Sequence, residues 1–175
     1  MWIRKNLSLF IQLIILVALS STSTMAAELA PIQGPVVFSL AKSSGKPLTL
    51  VNVWATWCPP CVEEFPELLK FHRKWKDKEV SLQLISVDFA SEREKVLSFL
   101  KDQGVDFKTF MREGSDEDFV RALDKKWTGA LPTTFLMDDK GKILFRWDGA
   151  VTVSALEKEI QKHLRPTNSK GEKSK

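Results

Sequence analysis

Along residues 36–164 the apolar positions recur every second residue in some stretches and at helical spacing in others. That alternation separates strands from amphipathic helices. Val36 to Leu40 and Leu48 to Trp54 are short runs rich in β-branched and aromatic side chains, joined by Ser43-Ser44-Gly45-Lys46-Pro47, so two strands linked by a turn are predicted. From about Cys58 to Lys76, the residues Cys61, Phe65, Leu68, Leu69, His72 and Trp75 fall at helical spacing. Leu82, Leu84, Ile85 and Val87 predict a strand ending at Asp88. Ser91 and Glu94 have capping-box spacing and open a helix through Val96, Leu97, Phe99 and Leu100, closed by Gly104. Ser115 and Asp118 start a shorter helix carrying Phe119, Leu123 and Trp127. Thr133 to Met137 and Lys142 to Trp147 flank Asp138-Asp139-Lys140-Gly141, a hairpin signal, and Ser154 and Glu157 cap a last helix through Leu156, Ile160 and Leu164. Strands alternating with helices and ending in a hairpin plus helix predict a three-layer α/β domain, with a central mixed sheet and helices on both faces.

The two ends depart from this pattern. Arg4 and Lys5, an apolar stretch from Leu7 to Leu19, the polar run Ser20 to Thr24 and then Met25-Ala26-Ala27 form the three parts of a secretory signal peptide over residues 1–26. Leu7 to Leu19 is 13 residues, polar only at Ser8 and Gln12, and covers roughly 20 Å as a helix, against ~30 Å of hydrocarbon. The expected cut follows Ala26, and the alternative is an uncleaved anchor, the one route by which this chain would meet a membrane. No cysteine follows the apolar run, so lipid attachment there is excluded. The folded domain is expected over residues 31–164. After Pro166 no apolar side chain remains, so residues 165–175 read as a basic disordered tail.

Composition and charge refine this division. With 43% hydrophobic and 27% charged residues, wholesale disorder and a multi-span membrane protein are both excluded. The net charge of +4 suggests an anionic partner, but the leader carries +2 and the tail +3, leaving about −1 on the folded region. A nucleic-acid partner is therefore not expected.

The chain has two cysteines, Cys58 and Cys61. Trp57-Cys58-Pro59-Pro60-Cys61 follows an apolar strand and opens a helix, so Cys58 is expected where unpaired amides and the positive end of the helix dipole converge. A thiolate there is stabilised, and its pKa falls below the free value of about 8.5. Cys61 lies one turn deeper and within reach of a disulfide, while Pro59 is tolerated because its missing N–H would have been unpaired. The arrangement fits thiol–disulfide exchange, with Cys58 attacking and Cys61 releasing the partner from a mixed disulfide. Other uses fit less well. A disulfide closing so small a loop is a poor staple. Zinc needs four ligands, and neither His72 nor His163 is near in sequence. A haem attachment site requires histidine where Val62 stands. No metal and no cofactor beyond the dithiol is expected.

Val51-Asn52-Val53-Trp54-Ala55-Thr56-Trp57-Cys58-Pro59-Pro60-Cys61, followed by Glu64-Phe65-Pro66, resembles the thioredoxin superfamily, specifically its extracytoplasmic TlpA/ResA/DsbE-like branch. Gly129-Ala130-Leu131-Pro132-Thr133-Thr134-Phe135-Leu136 resembles the second signature of that branch. The resemblance implies a thioredoxin-like fold and a redox-active Cys58–Cys61 disulfide. It also implies that Pro132 is a cis-proline facing the cysteines, and that Leu131 offers backbone groups to an extended substrate. Pro66 matches a proline that bends the active-site helix. Glu64 matches an acidic residue placed near the cysteines, where it can accept the proton of the buried thiol. Without the family, a solvent-facing glutamate like Glu63 or Glu67 would be the preferred reading. Asn52 stands where cytoplasmic thioredoxins carry a buried aspartate, so that proton role falls to Glu64 or to water. Trp57, with Pro59 and Pro60, reads as a substrate platform, although an aromatic there can also be packing. Trp54, Trp127 and Trp147 read as core.

The resulting expectation is an exported, periplasmic thiol:disulfide oxidoreductase. The resemblance implies that it reduces disulfides of partner proteins such as apocytochrome c, drawing electrons from a membrane thiol carrier of the DsbD/CcdA type. A disulfide-forming oxidase or isomerase is the alternative within the class. A Cu(I)-carrying binding protein is the alternative outside it, since soft thiolates suit that ion.

Overall fold

The computed structural model describes residues 27–164; the expected leader and basic tail lie outside them. Six strands form one sheet, with β1 Leu29–Ile32, β2 Leu48–Trp54, β3 Val80–Ser86, β4 Thr109–Arg112, β5 Thr133–Asp138 and β6 Ile143–Asp148 in the order β1-β4-β3-β2-β5-β6. The first four in that order run parallel, β5 runs antiparallel to β2, and β6 antiparallel to β5. Every residue of β2 is buried, which is why Leu48 to Trp54 reads as a nearly unbroken apolar run.

Five helices cover the two faces: α1 Val37–Ser43, α2 Pro59–Trp75, α3 Arg93–Asp102, α4 Asp116–Leu123 and α5 Val153–Leu164. Leu50 and Trp54 of β2 share one core with Phe65 and Leu68 of α2, Leu100 of α3 and Leu156 of α5. Val51 and Val53 turn the opposite way, into a second core with Val37 and Ala41 of α1 and Phe119 and Leu123 of α4. The predicted three layers are present. The Ser115 cap is also present, its Oγ accepting from the Asp118 N–H at 3.2 Å. At the hairpin, Asp138 Oδ1 accepts from the N–H groups of Lys140 and Lys142 at 3.0 and 2.8 Å. Gly141 takes φ +79°, and a Cβ there would also meet the Phe38 carbonyl oxygen at 2.8 Å.

Several local expectations are overturned. Val36 to Leu40 is no strand: a short 3₁₀ turn over Gly34–Val36 leads into α1. Pro35 presets the turn, and Val37 and Ala41, four residues apart, bury one helical face against the sheet, which outweighs the β preference of the valines. Ser91 and Glu94 form no capping box; a 3₁₀ turn over Ala90–Glu92 precedes α3, and neither start carries a side-chain cap. Ser154 and Glu157 do not cap α5. Thr152 Oγ1 accepts from the Ala155 N–H, while Glu157 binds Lys74 Nζ at 2.7 Å and the Trp75 indole N–H at 2.9 Å. Trp127 lies beyond the end of α4. Two strands escaped prediction: β1, which contains Pro31 at a sheet edge, and β4, which has four residues.

Candidate active site

β2 ends at Trp54, and Ala55-Thr56-Trp57 carries the chain to Cys58, the N-cap of α2, in extended backbone with φ −102° and ψ 101°. Cys58 and Cys61 form a disulfide with an S–S distance of 2.11 Å and Cα atoms 5.3 Å apart. The expectation that unpaired amides converge on Cys58 needs correction. Pro59 and Pro60 occupy the first two helical positions and carry no N–H, and the Cys61 N–H donates to the Cys58 carbonyl at 3.0 Å. What acts on a Cys58 thiolate is therefore the field of the helix more than a set of free donors. Pro66 lies inside α2, which runs unbroken to Trp75, and its ring nitrogen cannot donate to the Val62 carbonyl.

Asp88 holds the loop that carries the motif. Its carboxylate accepts from the Thr56 N–H at 3.0 Å, from Thr56 Oγ1 at 2.5 Å and from Ser86 Oγ at 2.7 Å, and Asp88 is fully buried. Sequence reasoning saw Asp88 only as the end of β3; a lone acidic residue closing an apolar strand beside the motif was the available signal. Asp88→Ala leaves the Thr56 donors unpaired and is expected to lower stability by about 2–3 kcal/mol. Urea unfolding of the oxidised protein checks this, and a loss below about 0.5 kcal/mol would return the residue to an ordinary strand end.

The second signature meets the first through the sheet. Val53 pairs with Thr133 across β2 and β5, so the residues just before β5 stand beside those just after β2. The Leu131–Pro132 peptide is cis, as the resemblance implies, and Pro132 is buried while Leu131 is partly exposed. Trp57 and Leu131 line one groove of about 680 Å³, floored by Val87, Phe119, Val120 and Trp127. Trp57 is 53% exposed and Pro59 and Pro60 are exposed beside it, so none of the three is core packing. Arg112 and Asp116 line the same groove and pair at 2.6 Å. Trp54 and Trp127 are core, whereas Trp147 is only partly buried.

Glu64, one helical turn past Cys61, faces inward and is 3% exposed. The preference for a solvated side chain that applies to Glu63 does not hold here. Asn52 Nδ2 donates to Glu64 Oε1 at 2.8 Å, and the Val151 N–H donates to Oε2 at 2.8 Å. Asn52 also donates to Thr134 Oγ1 at 2.9 Å. Burial pushes the Glu64 carboxyl above its ordinary pKa, and the donors from Val151 and Asn52 oppose that push. Glu67, a turn further on, accepts from the Val153 N–H at 2.9 Å; that bond, with Lys70 nearby, holds its carboxyl below the ordinary value. The buried cysteines, Glu64 and Asn52 thus meet on one face of the sheet, beside a partly exposed groove. Such a site can pass electrons through a dithiol and hold a proton next to it.

The family model that matches this chain is described as Redoxin and covers residues 21–160. The chain belongs to the redoxin family. Among curated relatives, this redoxin is similar to the thiol-disulfide oxidoreductase ResA of Bacillus subtilis, 28% identical over 87% of this chain and 74% of that protein. It is 35% identical to the thiol:disulfide interchange protein DsbE of Haemophilus influenzae, over 72% of this chain and 61% of that protein. Among solved structures, a thiol:disulfide interchange protein of the thioredoxin family from Chlorobium tepidum superposes with a TM-score of 0.58 at 26% identity, covering 72% of this chain and 85% of that one. With the Cys58–Cys61 disulfide, these likenesses make this redoxin a thiol–disulfide oxidoreductase of the TlpA/ResA/DsbE-like branch of the thioredoxin superfamily. Membership of that extracytoplasmic branch supports an exported location and a disulfide-bearing protein partner in a redox relay.

Proposed function

We propose that this protein reduces disulfides of exported partner proteins in the periplasm, apocytochrome c before haem attachment among them. Cys58 attacks the partner disulfide, Cys61 resolves the mixed disulfide, and a membrane thiol carrier of the DsbD/CcdA type returns the dithiol to its reduced state. Trp57, Pro59, Pro60, Leu131 and Pro132 form the surface on which the partner segment lies. Glu64 accepts the Cys61 proton.

The observation that carries this reading is the buried, uncharged setting of Glu64 one turn from Cys61. A reductant completes its cycle only when the buried thiol loses a proton while the mixed disulfide is still in place. A carboxyl group whose pKa burial has raised is matched to that transfer. An oxidase runs the same step in reverse, with Cys61 leaving as a thiolate that takes the proton back, so Glu64 supports exchange through Cys61 and the direction is left to the potential.

The reduction potential of the Cys58–Cys61 couple tests the direction. A value near thioredoxin's, about −270 mV, is expected from equilibration with glutathione or with a reference dithiol. A value near about −120 mV would assign the protein to disulfide formation instead.

A further inference from the structure

We propose that Asn52 and Thr134 are positioning residues: together they form a hydrogen-bond chain of reversible polarity that supports Glu64 both with and without its proton during exchange. This rests on Glu64 acting as the proton acceptor for Cys61.

Asn52 and Thr134 are cross-strand partners in the β2–β5 register, and both are fully buried. Both hydrogens of Asn52 Nδ2 are in use, one on Glu64 Oε1 at 2.8 Å and one on Thr134 Oγ1 at 2.9 Å. Asn52 Oδ1 is buried and has no partner. An ionised carboxylate only accepts, so this polarity suits Glu64 without its proton. The remaining groups around Glu64 are the Val151 N–H from the loop before α5, and Cys61 and Glu67 on its own helix; Glu67 is turned to the Val153 N–H. No charged side chain donates to Glu64 among the described residues.

The exchange step moves one proton. With Cys58 bound to the partner's sulfur, the Cys61 S–H passes its proton to Glu64, and the Cys61 thiolate attacks Cys58 Sγ. The Cys58–Cys61 bond forms, the bond between Cys58 and the partner breaks, and the partner leaves as a thiolate. The dithiol is oxidised and the partner reduced, with two electrons transferred. Glu64 now carries the proton, so its face toward Asn52 can become a donor. A half-turn of the Asn52 amide brings Oδ1 to that face, and the Thr134 hydroxyl, able to donate or accept, then donates to the same oxygen. The volume is unchanged and no backbone moves. Because the far end of the amide has no partner in its present orientation, no second hydrogen bond locks Asn52 against the half-turn. A leucine at this place supports neither state, and an aspartate supports only the protonated one.

The test follows release of glutathione from a Cys58–glutathione mixed disulfide on the full chain, with the resolution rate measured against pH. The rate is expected to rise with pH through one ionisation in the unsubstituted protein, and Glu64→Gln is expected to remove that step. Asn52→Leu takes a donor from the charged form, so the midpoint moves up by about one pH unit, a rate about tenfold lower on the acid side that converges at high pH. Asn52→Asp moves it further in the same direction. Thr134→Val moves it by about half a unit. A profile unchanged by Glu64→Gln would overturn the role of Glu64 itself. If Glu64→Gln removes the step while the Asn52 variants, shown to unfold cooperatively, keep the original midpoint, the chain of reversible polarity fails and Glu64 stands. Should Asn52→Leu not fold, the side-chain amide resonances of Asn52 in the unsubstituted protein decide. They are expected to shift in step with the rate profile, and resonances that stay fixed across it would overturn the inference.

Discussion

Cys58→Ser is expected to stop disulfide exchange, lowering the rate of insulin reduction on the order of a thousandfold or more. Serine keeps the shape of the site but offers a hydroxyl where a thiolate is required. Cys61 cannot substitute, because it is fully buried behind Cys58 and one turn further into α2, whereas Cys58 sits at the helix start beside the exposed Trp57 and Pro59. Cys61→Ser has the opposite signature: the attack survives and release does not. Mixed disulfides with partner proteins are then expected to accumulate on Cys58, appearing as adducts on a non-reducing gel that a small thiol removes. In the reduced protein, alkylation near neutral pH is expected at Cys58 well before Cys61. Retained turnover in Cys58→Ser, or equal alkylation rates, would reverse or dissolve the assignment of roles.

Phe65→Ala is expected to cost about 3–5 kcal/mol, the largest stability loss among simple truncations near the site. Phe65 is fully buried and stands edge-on to Trp54 at 4.7 Å and to Phe99 at 4.9 Å, while Trp54 and Phe99 lie 5.1 Å apart. This aromatic triangle joins β2 and α2, which flank the disulfide loop, to α3. Truncation leaves a void that three different elements would have to move to fill, so relaxation is limited. Denaturant unfolding of the oxidised protein measures the loss, with Phe89→Ala as the comparison. Phe89 is 64% exposed and its truncation is expected to change stability by no more than about 0.5 kcal/mol. A Phe65→Ala loss no larger than that would mean the triangle is not close-packed.

The layers and the dithiol were legible because their signals are local. Leu48 to Trp54 runs apolar because both of its faces are covered, and Cys58 to Cys61 is a motif whose place between strand and helix sets its chemistry. The polar interior was harder to read. The helical spacing of Cys61, Phe65 and Leu68 puts Glu64 on their face and Glu63 off it, but the partners that hold Glu64 there arrive from β2 and from the loop before α5, which no spacing shows. Asp88 is similar, since its three donors belong to Thr56 and Ser86, one of them far off in the chain. Capping patterns failed where tertiary contacts took the residues elsewhere. Glu157 is drawn to Lys74 and Trp75, and the amide of Val153 goes to Glu67. Val36 to Leu40 was misread because its β-branched start hides a four-residue spacing that only packing reveals.

The two carboxylates of α2 that reach the segment before α5 are opposites in one respect. Glu64 grips the Val151 amide from a buried site that favours the proton, whereas Glu67 grips the Val153 amide from a setting that favours the charge. On acidification Glu64 takes up its proton first and its hold on Val151 weakens, while Glu67 keeps Val153 until lower pH. The segment is thus fastened to the redox helix by two clasps of different acid sensitivity, and Glu67 is the one whose charge outlasts that of Glu64 as the pH falls.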